Sequence, residues 1–226
     1  MCGRYTLATP DPSQLRARFP IGERLEVRRR FNIAPGDDVL AVVRRPLSEP
    51  EGALLRWGLV PYWASDPREL GVKTINARAE TVAERPAYRD AFARRRCLIL
   101  ADGFYEWSAG TPYWITREDG APFAFAGLWA TWRPRDAEDV EPLRSCAIVT
   151  TAAAGPVREL HDRMPVILGR DDEQRWLDPD APAGELQALL VPSGPALATR
   201  PVSRAVNDAR HDAPDCLDPP EQASLF

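Results

Sequence analysis

Runs of apolar and β-branched residues recur along the chain, separated by polar segments rich in proline and glycine. Such runs are typical of strands, and they lie at residues 3–7, 38–45, 53–60, 95–102, 112–117, 122–130, 143–151 and 164–169. Short helices are predicted at residues 14–19, 77–84, 86–94, 171–177 and 184–190. Because strands outnumber helices and do not alternate with them regularly, the pattern predicts an α+β domain. Its sheet is mixed, largely antiparallel and barrel-like, and short helices flank it.

Turn-forming residues add two local predictions. Asp11-Pro12-Ser13 combines a capping side chain with an early proline, which predicts the start of a helix. Asp119-Gly120 is the strongest short hairpin signal in the chain, because tight hairpin turns favour residues that accept positive φ. It predicts that the strands at 112–117 and 122–130 pair with each other.

The length of 226 residues, 44% of them hydrophobic, is enough to bury the core of one large domain. From Asn207 onward the sequence is polar and proline-rich, which is typical of a mobile terminus. We therefore expect one domain over residues 1–206 and a polar C-terminal tail over residues 207–226.

Composition narrows the class of protein. No window reaches the roughly 18 apolar residues of a membrane span, and no basic-then-apolar leader begins the chain, so a cytoplasmic protein without membrane contact is expected. The four cysteines are far apart and form no C-x-x-C pair, which argues against a zinc ribbon. We expect no metal and no organic cofactor.

Charge leaves a polyanion partner open. Residues 1–100 carry 18 basic and 12 acidic side chains, whereas residues 101–226 carry 11 and 21, which gives the net charge of −4. A basic half is compatible with nucleic acid bound to one local face. All basic residues except Lys73 are arginines, and a GC-rich genome explains that bias equally well.

Cys2 is the first candidate for chemistry. Removal of Met1 would leave an α-amine and a thiol on adjacent carbons, with ordinary pKa values of about 8 and about 8.5, so both are partly nucleophilic near neutral pH. Such an aminothiol traps an aldehyde as an imine and then closes a thiazolidine ring, which a mid-chain cysteine cannot do. The alternative is a cysteine placed at the start site by accident.

Three further side chains are candidates for catalysis. His161 carries an imidazole, the side chain that suits general acid–base work near neutral pH, unless it is a surface turn residue. Glu106 lies between Tyr105 and Trp107, where burial would raise its pKa, unless it faces solvent on an edge strand. Asn76 can orient a reacting oxygen, but it is also a good helix N-cap.

Other side chains suit contacts with nucleic acid. Arginine forks match phosphate, exposed aromatic rings stack on unpaired bases, and a rigid proline can act as a wedge against a base step. Core packing is the competing explanation for the tryptophans, above all for Trp57. The candidates are Arg4, Pro35, Trp57, Trp63, Arg78 and Arg163.

Six short motifs, in this order, resemble the SOS response-associated peptidase (SRAP) family, also called abasic-site processing proteins: MCGRY, FNIAPG, RWGLVPYW, INARAET, DGFYEW and HDRMPVIL. The resemblance runs from Cys2 to about Asn207. It implies a mixed α+β fold around a partly open β-barrel. It also implies a positively charged groove that binds single-stranded DNA with abasic sites. A protein that holds DNA in such a groove is expected to be a monomer.

By the same resemblance, Cys2 attacks the ring-opened aldehyde of an abasic site once Met1 is removed. The product is a thiazolidine crosslink that protects the lesion in the DNA damage response. Asn76 then positions the sugar or the cysteine, Glu106 assists proton transfer, and His161 handles protons on the opened sugar. Self-cleavage after Met1 and a lyase reaction at the abasic site are further implied activities.

The resemblance also places DNA contacts. Arg78 and Arg163 fall on phosphate-binding positions, and Pro35 and the Trp57–Trp63 stretch border the DNA path. The residues themselves leave two other functions open. One is a cysteine peptidase or amidase with an N-terminal nucleophile, and the other is a non-catalytic binder of single-stranded DNA in which Cys2 is incidental.

Overall fold

The computed structural model describes residues 2–8, 11–134 and 139–221. Within these residues the strands are β1 (Tyr5–Leu7), β2 (Arg30–Ile33), β3 (Asp38–Val43), β4 (Glu51–Trp57), β5 (Asn76–Arg78), β6 (Arg96–Ala101), β7 (Gly103–Ser108), β8 (Thr111–Arg117), β9 (Phe123–Trp132), β10 (Leu143–Ala152), β11 (Arg163–Pro165) and β12 (Leu197–Pro201). The helices are α1 (Pro12–Arg18), α2 (Pro67–Lys73), α3 (Arg89–Arg94), α4 (Arg170–Leu177) and α5 (Ala183–Ala188). Short 3-10 helices cover Gly155–Glu159, Arg204–Asn207 and Pro214–Leu217.

The strands form a barrel and a second sheet. In the barrel, β4, β3, β6 and β9 follow β10 in that order, and β9 pairs back onto β10 to close the circle. β4 and β5 run parallel to β10, whereas the other pairings are antiparallel. The second sheet, in the order β12-β8-β7-β1-β2, is antiparallel throughout. The predicted α+β class with a largely antiparallel barrel is therefore confirmed.

Aromatic side chains join the two sheets. Tyr5 on β1 is fully buried, and its ring makes edge contacts with Trp57 at 5.3 Å and with Phe125 at 5.6 Å between centroids. Trp57 is 1% exposed and donates its indole N–H to the backbone oxygen of Ile75. A ring with no open face cannot stack on a base, so the expectation that Trp57 contacts DNA is wrong in this conformation. Its role is in the core.

Local signals at helix starts agree with the structure. Asp11 caps α1, accepting a hydrogen bond from the Ser13 N–H at 2.7 Å. Asp66 caps α2 in the same way. No helix in the described residues is long and apolar enough to cross a membrane.

The predicted hairpin at Asp119-Gly120 is wrong. Gly120 adopts positive φ in a turn, but β8 pairs with β7 and β12 while β9 pairs with β6 and β10, so the turn links the two sheets. In this region the hairpin instead joins β7 to β8, through a tight turn at Ala109-Gly110, where both residues have positive φ. A tight turn fixes only the local chain reversal, and long-range pairing decides which strands meet.

The helix predicted at 77–84 is also wrong. Asn76–Arg78 form β5, which pairs in parallel with Ile148–Thr150 of β10, and turns follow to residue 88. The alanines, arginine and glutamate of this stretch favour a helix locally. Pairing with a central strand outweighs that small preference.

The C-terminal segment is packed rather than mobile as far as the structure describes it. Asn32, fully buried, donates its amide hydrogens to the backbone oxygens of Val206, Asp208 and His211. Asp212 accepts from the Arg30 guanidinium and from two backbone N–H groups of β2. These polar contacts anchor the segment together with the fully buried Cys216, which packs in an apolar cluster with Phe31 and Tyr105.

We expect Asp212→Ala to lower the free energy of unfolding by about 2–3 kcal/mol, because the change leaves the backbone N–H groups of Phe31 and Asn32 without their acceptor and removes one of the two carboxylates that pair with Arg30. Urea denaturation measures the loss. Asp208→Ala is the matched control in the same segment, since in the described part of the chain the hydrogen bonds of the Asp208 carboxylate go to exposed Arg210, and its effect stays within about 0.5 kcal/mol. Equal effects of the two changes would show that the segment is not anchored through Asp212.

Candidate functional site

The strand that follows Cys2, β1, lies inside the second sheet, between β7 and β2. β1 pairs with β7 so that Tyr5 lies opposite Phe104, and the Tyr105 N–H donates to the Arg4 oxygen at 3.0 Å. Continuing this antiparallel register places the residues before Arg4 along Glu106 and Trp107. Cys2 is fully buried, and its carbonyl oxygen accepts a hydrogen bond of 2.8 Å from the Asn76 side-chain amide.

The electrostatic setting of Cys2 keeps its thiol protonated. Burial raises the pKa of the thiol far above its ordinary value, and the charge of Glu106 raises it further. The Sγ atom lies 3.8 Å from the Arg4 oxygen, a weak contact at most. A thiol in this environment needs a base before it can act as a nucleophile.

Glu106 is the acidic partner of this site. Its side chain projects from β7 and is 4% exposed. Burial raises the pKa of its carboxyl, and the nearby His161 lowers it. Glu106 therefore interacts electrostatically with both Cys2 and His161, and three residues distant in the sequence share one site.

His161 lies in the loop before β11. Its Nδ1 accepts a hydrogen bond of 2.9 Å from the Arg163 N–H, so in the neutral ring the proton lies on Nε2. The Asp162 carboxylate is 2.8 Å from the same nitrogen, but it is 86% exposed and well solvated, so the backbone bond determines the ring's orientation. His161 and Asp162 border a cleft of about 430 Å³, which gives this side of the site access to solvent.

Asn76 is fixed by strand pairing rather than by a helix cap. β5 holds its backbone against β10, and the Tyr88 hydroxyl donates to its carbonyl oxygen at 2.8 Å. Its side-chain oxygen Oδ1 is buried and has no hydrogen-bond partner among the described residues. A buried acceptor without a donor is costly, and here it lies on the amide that holds Cys2.

The two arginines predicted to bind phosphate, Arg78 and Arg163, differ in exposure and in their partners. Arg78 is exposed. Arg163 is 14% exposed, and its fork binds Glu80 through both oxygens, at 2.5 and 2.9 Å, while donating to the Thr150 oxygen at 2.7 Å. The Arg163 fork is the main cause that lowers the pKa of Glu80, and Arg78 contributes.

The side chain of Arg4 stabilises the fold in this structure. Its guanidinium donates to the Asn32 side chain at 2.9 Å and to the Val206 oxygen at 2.6 Å. Pro35 and Trp63 are exposed, with 43% of Trp63 accessible. Both can meet a ligand at the surface, whereas Arg4 would have to leave its partners.

Sequence reasoning missed two residues of the site. In the sequence, Glu80 alternates with Asn76 and Arg78 in INARAET but is not a candidate site residue, and nothing there points to Tyr88. The signal for Glu80 was the spacing of two between Asn76, Arg78 and Glu80, which is that of one face of a strand. The signal for Tyr88 was absent, because its contact depends on how residues 79–88 fold back onto β5.

Two other features lie apart from these residues. A cavity of about 560 Å³ between α1 and α4 is lined by none of the candidate site residues.

In the described part of the chain, ligand-type atoms of His211, Asp215 and Cys216 lie within 4.8 Å of one another, as a metal would require. Their contacts already pair them: the His211 ring with Asp215 at 2.7 Å, and the Cys216 thiol with the His211 oxygen. Hydrogen bonding within the segment accounts for this cluster.

Glu106→Gln should stabilise the protein. The folded state raises the pKa of Glu106, so its stability is greatest while the carboxyl is protonated and falls as rising pH ionises it. The variant stays neutral. We expect equal melting temperatures near pH 4 and a gain of roughly 2–6 °C for the variant at pH 8. Thermal melts across this range measure it, and a variant less stable at pH 8 would contradict the burial argument.

Comparison with known proteins identifies the family of the chain. The family model of the SOS response associated peptidase (SRAP) matches residues 1–209. "Abasic site processing protein YoaM" of Bacillus subtilis is 38% identical, covering 96% of this chain and 98% of the relative. "Abasic site processing protein HMCES" of Gallus gallus is 35% identical, covering 74% and 57%. A crystal structure of a Bordetella bronchiseptica protein is 31% identical with a TM-score of 0.75, covering 89% and 100%. The chain therefore belongs to the SOS response associated peptidase family.

Proposed function

We propose that this protein processes abasic sites in single-stranded DNA by joining Cys2 covalently to the ring-opened sugar. The relatives named abasic site processing proteins support the substrate class. The observation that carries the proposal is the position of Glu106, which interacts electrostatically with the Cys2 thiol on one side and with His161 on the other. An aminothiol beside an acid–base pair suits addition to an aldehyde.

The first step is imine formation. With Met1 removed, the α-amine of Cys2 adds to the aldehyde carbon, and loss of one water gives the imine. Met1 itself lies outside the described residues. The Asn76 amide holds the Cys2 carbonyl, and its buried Oδ1 is an acceptor for an N–H of the amine or a hydroxyl of the sugar. Glu106, whose pKa is raised by burial, supplies the proton that carries off the water.

The second step is ring closure. The Cys2 sulfur adds to the imine carbon, and the thiol proton passes through Glu106 to the nitrogen, which yields the thiazolidine. One water is released overall, and neither an oxidant nor a reductant is needed. The high pKa of the thiol means that the carboxylate must take the proton as the C–S bond forms, because little free thiolate exists beforehand.

His161 serves the opened sugar. It borders the open cleft, and its ring is oriented by the Arg163 N–H, so Nε2 is the nitrogen positioned for proton exchange. Proton donation to the opened sugar would support reversal of the crosslink. In a lyase reaction the same ring would instead take the C2′ proton of the imine as the C3′–O bond breaks and the phosphate leaves. Self-cleavage of the Met1–Cys2 bond would use the same carboxylate and is part of this proposal.

The DNA strand would cross the surface near β5 and β11. Arg78 on β5 and Arg163 on β11 lie on two short strands that each pair with β10, where they would contact phosphates of one DNA strand. Exposed Tyr62 and Trp63 offer rings for stacking, and Pro35 is exposed. The chain is acidic overall, with a net charge of −4, so binding depends on these local groups.

A single gel separates the candidate functions. The wild-type protein should form a denaturant-resistant adduct with a uracil-excised single-stranded oligonucleotide, and Cys2→Ala should lose it completely while retaining ordinary binding. Persistence of the adduct in Cys2→Ala would refute the mechanism. A peptidase or amidase would instead cleave peptide or amide substrates in a Cys2-dependent way, and a simple binder would give no adduct.

A second experiment tests the role of the amine. Protein that retains an extra residue before Cys2 has an acylated amine and cannot form the imine, so its crosslinking rate should fall by at least about 100-fold with DNA binding kept. Mass spectrometry confirms the state of the N-terminus. Equal crosslinking by the blocked protein would rule out thiazolidine formation, and cleavage to the mature N-terminus restores activity if the mechanism is right.

A further inference from the structure

Glu80 occupies the place where an anion should bind. Its carboxylate receives two hydrogen bonds from the Arg163 fork, and Arg78 also acts on its charge. Both arginines are the residues that the proposed function assigns to phosphates. In this structure the chain therefore supplies its own anion to a phosphate site.

Carboxylate and phosphate compete for the same geometry. An arginine fork binds either group through two parallel N–H···O bonds, so Arg163 cannot hold Glu80 and a phosphate with the same two nitrogens. Glu80 is 54% exposed and Arg163 is 14% exposed. The acid is thus the mobile partner of the pair, while the guanidinium is anchored by its bond to the Thr150 oxygen.

The bond to Glu80 also leaves Arg163 incompletely satisfied. The carboxylate engages Nη1 and Nη2, whereas Nε is buried and has no hydrogen-bond partner in the described part of the chain. A buried donor without an acceptor favours any rearrangement that supplies one. A phosphate, with its oxygens spread over a tetrahedron, can reach edges of the guanidinium that one planar carboxylate leaves unpaired.

We propose that Glu80 is an internal competitor of the DNA backbone, which a phosphodiester must displace from Arg163 before the strand can be seated over Cys2. This inference rests on the proposed function, because it concerns the same strand path. Glu80 lowers affinity for intact DNA, so the protein releases undamaged strands readily. Retention then depends on the covalent bond at an abasic site.

Equilibrium binding to an undamaged single-stranded oligonucleotide tests the inference. Glu80→Gln should bind roughly three- to tenfold more tightly than wild type, the scale of one partly exposed ion pair. Glu84→Gln removes the same charge from an exposed position four residues on and should change affinity by less than about twofold. In an Arg163→Lys background, which keeps the charge but loses the fork, the gain from Glu80→Gln should also fall below about twofold.

Three results would overturn the inference. Unchanged or weaker binding by Glu80→Gln would mean that Glu80 orients Arg163 or does not act on DNA. A gain of similar size in the Arg163→Lys background, or in Glu84→Gln, would mean that only net charge matters. The adduct assay on the wild-type protein runs in parallel: an adduct without a Glu80 effect rejects this inference alone, whereas no adduct rejects the proposed function.

Discussion

The pairing of β1 with β7 holds the chain next to Cys2 against the strand that carries Glu106, and the proposed chemistry depends on the electrostatic interaction between these two groups. Chain termini usually fray, but here β1 lies between β2 and β7, and the Tyr5 ring packs against Trp57 and Phe125 of the barrel. The segment that carries Cys2, the proposed nucleophile, is therefore fixed by packing against the core. Preorganisation of this kind removes the entropic cost of positioning a flexible terminus for each reaction.

Burial gives this site a chemical selectivity. Desolvation raises the pKa of both the Cys2 thiol and the Glu106 carboxyl, because burial disfavours the charged form of each group. Oxidants and most electrophiles react with the thiolate, which is scarce in this environment. An aldehyde differs because it reacts first with the amine, and the imine then presents an electrophilic carbon next to the sulfur. Under the proposed mechanism, burial therefore suppresses reactions of the Cys2 thiolate but still allows addition to an aldehyde.

Much of the fold was visible in the sequence, because apolar runs and capping residues act locally. The strands at 38–43, 96–101 and 143–152 and the cap at Asp11 appear where the pattern predicts them. The failures share one cause: the helix predicted at 77–84 and the hairpin at Asp119-Gly120 are both decided by pairing with strands far away in the chain. The candidate catalytic residues were found through motifs, whereas the Glu80–Arg163 pair requires the register of β5 and β11 on β10.

The C-terminal segment belongs to the support of the site, although its composition suggested a free tail. Arg4, two residues after Cys2, donates to the Val206 oxygen, and Trp107, next to Glu106, donates to the Asn207 side chain at 2.8 Å. Residues close to Cys2 and Glu106 are thus hydrogen-bonded to the same short stretch, residues 206–207. Since Asn32 and Asp212 bind that stretch to β2, a shift of the C-terminal segment would act on Cys2 and Glu106 together. Arg4, predicted as a phosphate contact, therefore supports the proposed chemistry by holding the segment that contains Cys2 in place.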